Sequence, residues 1–209
     1  MISKFIQLAE SGMLPDFLIR AGIVSNCKSR IKNETSVNLE DLQEKKQEWI
    51  SVMKESPIAL VPDKANQQHY EVPPTFFMHV LGSNLKYSSG YWPNQKVTLD
   101  SSEEYMLSIS VNRADIKNGQ RILELGCGWG SLTCFMAKKF PNSQITAVSN
   151  SKDQRRFINN RCKENQISNV NVITADMNDF NFEKMYDRVI SIEMFEHMRN
   201  YKQLLSKIA

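Results

Sequence analysis

Arg121-Ile-Leu-Glu-Leu-Gly-Cys-Gly-Trp-Gly130 is the stretch whose reading decides the fold. Ile122, Leu123 and Leu125 form a short apolar run of strand type, and Gly126, Gly128 and Gly130 let the backbone turn sharply and approach a ligand closely. Leu132, Phe135, Met136 and Phe140 then recur at helical spacing, which predicts a helix just past the glycines. A helix starting there aims unpaired backbone N–H groups at whatever occupies the loop. The unit therefore reads as a nucleotide-binding strand-loop-helix, although a tight turn without a ligand can use the same glycines.

Two ligands compete for such a loop. One is a dinucleotide, whose pyrophosphate sits on the helix terminus; the other is S-adenosylmethionine, which carries a carboxylate and a sulfonium but no phosphate. The dinucleotide fingerprint places a glycine three residues after Gly128, where this chain has Ser131, and an acid about 20 residues on for the ribose. The second strand ends in Asn150 instead, so the spacing favours S-adenosylmethionine. Glu124, directly before the glycine run, suits the methionine ammonium or a water-mediated contact to it.

The 209 residues are enough for one good core plus an extension, with ordinary apolar and charged fractions. A formal charge of +3, scattered along the chain and without a basic run interleaved with aromatics, gives no argument for nucleic acid. The first residues lack the pattern of a signal peptide, and no apolar run approaches the ~20 residues of a membrane span. A cytoplasmic protein with no stable membrane association is expected. Cys27, Cys127, Cys134 and Cys162 have neither zinc-site nor disulfide-framework spacing, and His69, His79 and His197 are dispersed, so no metal site is expected.

Residues 1 to about 62 read as helical, in three apolar stripes: Phe5, Ile6 and Leu8; Leu14, Phe17, Leu18 and Ile19; then Leu39, Leu42, Trp49, Ile50 and Met53. Asn38 is in N-cap position with Asp41 three residues on, and Pro57 and Pro62 close the region. The simplest role is a helical cap on the main domain. The aromatic and proline-rich segment from His69 to Leu81, followed by Leu85 to Trp92, suits either the lining of an adenosyl or aromatic ligand or a packed support for the core.

A helical pattern over Leu99 to Val111 puts Leu107 and Val111 on one face. Strands then alternate with helices: Arg121 to Leu125, Ile145 to Ser149, Val170 to Thr174 and Arg188 to Ile192, with helices near 131–139 and 152–164. Alternation of this kind predicts an α/β fold with a parallel sheet and right-handed crossovers. Ligands of such sheets bind beyond the carboxyl ends of the strands. The candidates there are Gly126 to Gly130, Asn150 with Gln154, Asp176 with Met177, and Glu193 with Glu196 and His197. Asp176 suits the adenine amino group, Met177 the adenine ring, and the amides of Asn150 and Gln154 the ribose hydroxyls.

Taken together, Glu124-Leu-Gly-Cys-Gly-Trp-Gly130, Ser149-Asn-Ser-Lys-Asp-Gln154 and Ser191-Ile-Glu-Met-Phe-Glu-His-Met198 carry a family resemblance. The chain resembles the class I methyltransferases of the cyclopropane-fatty-acid-synthase type, and among them most the coclaurine N-methyltransferase type. His69-Tyr-Glu and Lys86-Tyr-Ser-Ser-Gly-Tyr-Trp92 extend the resemblance over roughly residues 66 to 209. It implies a Rossmann-like methyltransferase domain over 66–209 behind a helical cap over 1–65. Tyr87, Ser88, Gly126, Cys127, Gly128, Asn150, Gln154, Asp176 and Met177 would then bind S-adenosylmethionine, beside Glu124. Glu193, Glu196 and His197 match the acid and histidine cluster that the N-methyltransferases set beside the substrate amine. The chemistry agrees: methyl transfer needs a neutral amine lone pair, which carboxylates can attract as the ammonium and Glu196 or His197 can deprotonate.

Two departures from the synthases bear on the substrate. Ser89 stands where they carry a cysteine that helps hold bicarbonate, and Glu193 stands where they have glycine. Both favour a small aromatic or alkaloid-like amine over an unsaturated acyl chain. Sheets of this class usually have seven strands, whereas the chain ends at Ala209 within a helix marked by Tyr201, Leu204, Leu205 and Ile208. A sheet incomplete at its C-terminus is expected, with a homodimer or another partner covering the fourth strand. The rivals to an active N-methyltransferase are lipid cyclopropanation and a truncated, non-catalytic cofactor-binding module.

Overall fold

The structure is a computed structural model that describes residues 2–35, 38–60, 73–181 and 185–209. Pro62, the His69 to Val72 stretch and the expected domain boundary at 65/66 lie outside the described residues. The chain divides into two compact units, Met1–Val52 and Met53–Ala209.

The first unit is helical: α1 (Ile2–Glu10), α2 (Asp16–Glu34) and most of α3 (Leu39–Glu55). Pro15 precedes α2 with φ near −58°, and Asp16 in the first turn pairs with Arg20 one turn on at 2.7 Å. Asn38 caps α3 as its sequence position predicts, its Oδ1 accepting from the Glu40 N–H at 3.0 Å.

The second unit carries α4 (Pro74–Val80), α5 (Leu99–Arg113), β1 (Arg121–Leu125), α6 (Ser131–Lys139), β2 (Gln144–Ser149), α7 (Lys152–Glu164), β3 (Val170–Thr174), β4 (Arg188–Ser191) and α8 (Tyr201–Ile208). A short 3-10 turn, Phe195–His197, lies between β4 and α8. The expected alternation is present, with β4 ending one residue earlier than the sequence pattern suggested. The four strands form one parallel sheet in the order β3-β2-β1-β4. β1 is thus central, pairing Leu125 with Val148 on one side and with Ser191 on the other.

Both faces of β1 are covered, which is why Ile122, Leu123 and Leu125 are all apolar, with the buried Glu124 as the exception among them. Ile122 joins Leu107 and Val111 of α5, Leu132 and Met136 of α6, Ile145 and Ile190 in one cluster. Leu123 and Leu125, pointing the other way, meet Val148, Phe180 and Met194, with Ile208 of α8 packed against them. Each fully buried leucine is worth roughly 1.5–3 kcal/mol, so the centre of the sheet is firmly anchored. The third cluster, with Ile158, Cys134 and Cys162, seats α6 and α7 beside β2 and β3. Side-chain caps start the helices where the chain leaves the sheet: Thr98 for α5, Ser151 for α7 and Asn200 for α8. No described helix is long and apolar enough to cross a membrane.

Candidate cofactor and acceptor site

The loop after β1 is shaped by its glycines. Gly126, Gly128 and Gly130 all have left-handed φ, at 78°, 52° and 76°. The N–H groups of Gly126 and Cys127 both donate to the Val148 carbonyl at 3.0 Å, tying the loop to the end of β2. A Cβ on Gly126 would lie 2.6 Å from the Met194 side chain, and one on Gly130 would lie 2.7 Å from Ile158, so packing excludes side chains there as well. A Cβ on Gly128 would meet nothing within 4 Å, and this residue lines an open cavity. Cys127 lines it too, with its thiol buried and its pKa pushed well up by that burial.

Glu124, one residue before the end of β1, is only 4% exposed. The Thr133 hydroxyl of α6 donates to its carboxylate at 2.5 Å. Burial nevertheless dominates over this hydrogen bond and pushes the carboxyl pKa up to about 8. The group lines the same cavity as the glycine loop.

That cavity encloses about 800 Å³, its open mouth included. It brings together Lys86, Tyr87 and Ser88 from the loop after α4, Glu124, the Gly126 to Trp129 turn, and Glu193, Glu196 and His197 beyond β4. A neighbouring cavity of about 360 Å³ shares Gly126 and is lined by Asn150, Asp176, Met177, Met194 and Met198. The sequence candidates therefore fall into two adjoining chambers at the carboxyl ends of the strands. Gln154 lines neither: it is 3% exposed, its Oε1 accepts from the Ser149 hydroxyl at 2.5 Å, and its Nε2 is buried without a hydrogen-bond partner.

Glu193 is one of four non-glycine residues with left-handed backbone among the described residues, at φ 53°. Such a conformation costs about 1–2 kcal/mol in an L-residue. The side chain that the strain buys is on the cavity wall with Glu196 and His197, which the Phe195–His197 turn presents. The Tyr201 hydroxyl donates to the Phe195 carbonyl at 2.8 Å and ties this turn to α8.

The aromatic segment supplies a packed support and also puts one ring on the cavity wall. Phe77 is buried against Trp129, ring centroids 4.9 Å apart, and Trp129 meets Phe157 edge-on at 5.4 Å. This is a packed support for the glycine turn. Tyr87, edge-on to Phe77 at 5.0 Å, stays half exposed and faces the cavity.

What fixes the loop over residues 82–88 is a buried carboxylate. Glu103 of α5, 2% exposed, accepts from the N–H groups of Gly82 at 2.9 Å, Asn84 at 3.0 Å and Lys86 at 3.2 Å. Asp100 accepts from Ser83 N–H at 2.6 Å, and the Arg161 guanidinium of α7 donates to the Ser83 and Asn84 carbonyls. Sequence reasoning missed Glu103, yet a signal existed: Glu103, Leu107 and Val111 are spaced i, i+4, i+8 and share the buried face of α5. Glu103→Gln keeps the shape but turns one acceptor into a donor facing an N–H. We expect it to lower stability by about 1–3 kcal/mol, read as a lower urea midpoint at unchanged slope.

Comparison with known proteins agrees with this architecture. The profile of the family described as mycolic acid cyclopropane synthetase matches residues 61–208. (S)-Coclaurine N-methyltransferase from Thalictrum flavum subsp. glaucum is 37% identical over 207 residues, 99% of this chain and 57% of that protein. Pavine N-methyltransferase from the same plant is 35% identical, over all of this chain and 58% of its own length. The crystal structure of a coclaurine N-methyltransferase bound to N-methylheliamine and SAH superposes with a TM-score of 0.89 at 35% identity, covering 99% of this chain and 60% of that one. The chain thus spans somewhat over half the length of the relatives it matches. The parallel sheet, the glycine loop with its left-handed turns and the match over residues 61–208 agree that this chain belongs to the mycolic acid cyclopropane synthetase family.

Proposed function

We propose that this chain is the cofactor-binding portion of an S-adenosylmethionine-dependent N-methyltransferase acting on a small aromatic or alkaloid-like amine. The observation that carries the reading is the shared lining of one cavity: Glu193, Glu196 and His197 line the same chamber as the glycine turn. The identity to coclaurine and pavine N-methyltransferases supports the choice of amine. The family match from residue 61 supports a methyltransferase domain over 66–209, with 1–65 as its helical cap.

The residues present fit the cofactor. Gly126 and Gly128 let the backbone approach it, Tyr87, Ser88 and Cys127 border it, and Glu124 offers a carboxyl to its ammonium. Asn150, Asp176 and Met177 line the adjoining chamber with both polar groups and methionine, a composition suited to ribose and adenine. When bound, S-adenosylmethionine supplies an electrophilic sulfonium methyl. Glu193 and Glu196 attract the protonated amine to the cavity wall, and Glu196 or His197 takes its proton to free the lone pair. The Phe77–Trp129 support holds the turn still while this happens.

Glu193→Gly separates strain from function. Glycine relieves about 1–2 kcal/mol of backbone strain and gives back about 0.5–1 kcal/mol through the unfolded chain. The variant is therefore expected to be as stable as the wild type or slightly more so, while amine methylation falls.

The test is product mass analysis with S-adenosylmethionine, a panel of secondary benzylic amines, and vesicles of monounsaturated phospholipid. The reading expects amines that gain one methyl and unchanged acyl chains. Acyl chains that gain a methylene while every amine is untouched would replace it with cyclopropanation. Cofactor binding with no transfer to either would make this chain a non-catalytic module.

A further inference from the structure

Lys86 is a cation built into the wall of the acceptor cavity. It is 5% exposed, yet it lines the chamber that holds Glu193, Glu196 and His197. Its Nζ donates to the Ser88 hydroxyl, and its backbone N–H is one of the three gripped by Glu103. With Arg161 holding the Ser83 and Asn84 carbonyls from the other side, the loop leaves this lysine little freedom to swing out. We propose that Lys86 sets the charge selectivity of the chamber, offsetting one wall carboxylate so that a singly charged amine is admitted without being trapped.

The charges around the chamber support this. Burial lowers the Lys86 pKa, and Glu193, followed by Glu103, works in the opposite direction by favouring its ammonium. Glu124 is mostly protonated near pH 7, since burial pushes its pKa up to about 8. Among the residues lining the chamber, two further acidic side chains, Glu193 and Glu196, stand against one basic one, Lys86, while Glu103 grips the loop from outside that lining. The remainder matches one ammonium. Without Lys86 the chamber faces a cation with a doubled negative charge, which tightens binding of a methylated, positively charged product as well as of substrate. Arginine cannot make the same compact contact to Ser88, whereas methionine keeps the length of the stem and removes the charge.

The inference rests on the amine reading of the cavity, and equilibrium binding separates the two. The probes are benzyltrimethylammonium, whose charge is permanent, and neopentylbenzene, its neutral isostere, titrated into the 209-residue chain and its Lys86→Met and Lys86→Gln variants. Both variants are expected to bind the cation about tenfold more tightly than the wild type, with the neutral probe unchanged. Should one variant fail to fold, the other carries the measurement. Equal cation affinity in wild type and variant overturns the role of Lys86 and leaves the amine reading standing. Both probes tightening together also overturns it, because that is an effect of volume. No cation binding by any of the three proteins overturns both.

Discussion

Between about pH 5 and pH 8 the wild-type protein is expected to lose stability that a Glu124→Gln variant keeps. Glu124 titrates near its ordinary value of 4.5 when unfolded and near 8 in the fold. Over that window the native state holds a proton that the unfolded chain has released, so stability falls as pH rises. The stabilising contribution is complete below about pH 4.5 and lost once pH passes about 8. At most about 1.4 kcal/mol is lost per pH unit, on the order of 4–5 kcal/mol across the window. Glutamine has nearly the same shape, accepts the Thr133 hydroxyl and does not titrate. The difference between the two urea-denaturation curves, taken at several pH values, isolates this one group; parallel curves would show that Glu124 is not buried as described. The same carboxyl should release a proton when it meets the cofactor ammonium. Binding heat at pH 7 should therefore depend on the ionisation heat of the buffer in the wild type and not in Glu124→Gln.

Removing the proton acceptor should have a similarly large effect on the reaction. A Glu196→Gln/His197→Asn double variant is expected to lose about 10²- to 10⁴-fold in kcat for amine methylation, the usual contribution of a positioned general base. The two side chains sit on one short turn, Phe195–His197, and line the same chamber, so their effects should not add. The single variant that accounts for most of the loss identifies the base. Cofactor affinity should stay within a few-fold of the wild type, because the second chamber, with Asn150, Asp176 and Met177, is untouched. Undiminished turnover in the double variant would move proton transfer elsewhere in the cavity.

The parts of the fold that were legible in the sequence are those written in local spacing. The apolar run of β1, the alternating glycines and the helical repeat of α6 are one continuous stretch, and the structure keeps all three. The two chambers were legible as well, because residues just after parallel strands converge by topology alone. Contacts made across long separations could not be read this way. Arg161 reaches Ser83 over 78 positions, and Glu103 reaches Gly82 over 21, with no periodicity linking the partners. Thr133 is only nine positions from Glu124, but its contact depends on how α6 packs back on β1. Gln154 shows the converse. Its position after β2 is that of a ligand contact, yet the hydroxyl of Ser149 draws its Oε1 inward and out of the cavity wall.

Glu193 was recognised for its chemistry rather than its backbone. A glycine at that position would relieve the left-handed φ of 53°, so the glutamate stands there against a conformational preference. Strain of this kind, on a side chain lining the cavity, argues for function more strongly than the presence of a carboxylate alone.

The central claim is that the loop from Gly126 to Gly130 belongs to S-adenosylmethionine and not to a dinucleotide. The most direct measurement is the melting temperature of the 209-residue chain with each ligand at about 100 times its expected dissociation constant. S-Adenosylmethionine at that level adds about 2.7 kcal/mol, a shift of roughly 5 to 10 °C for a chain of this size, and the account predicts that shift with no response to NAD⁺. A shift with NAD⁺ and none with S-adenosylmethionine would contradict it.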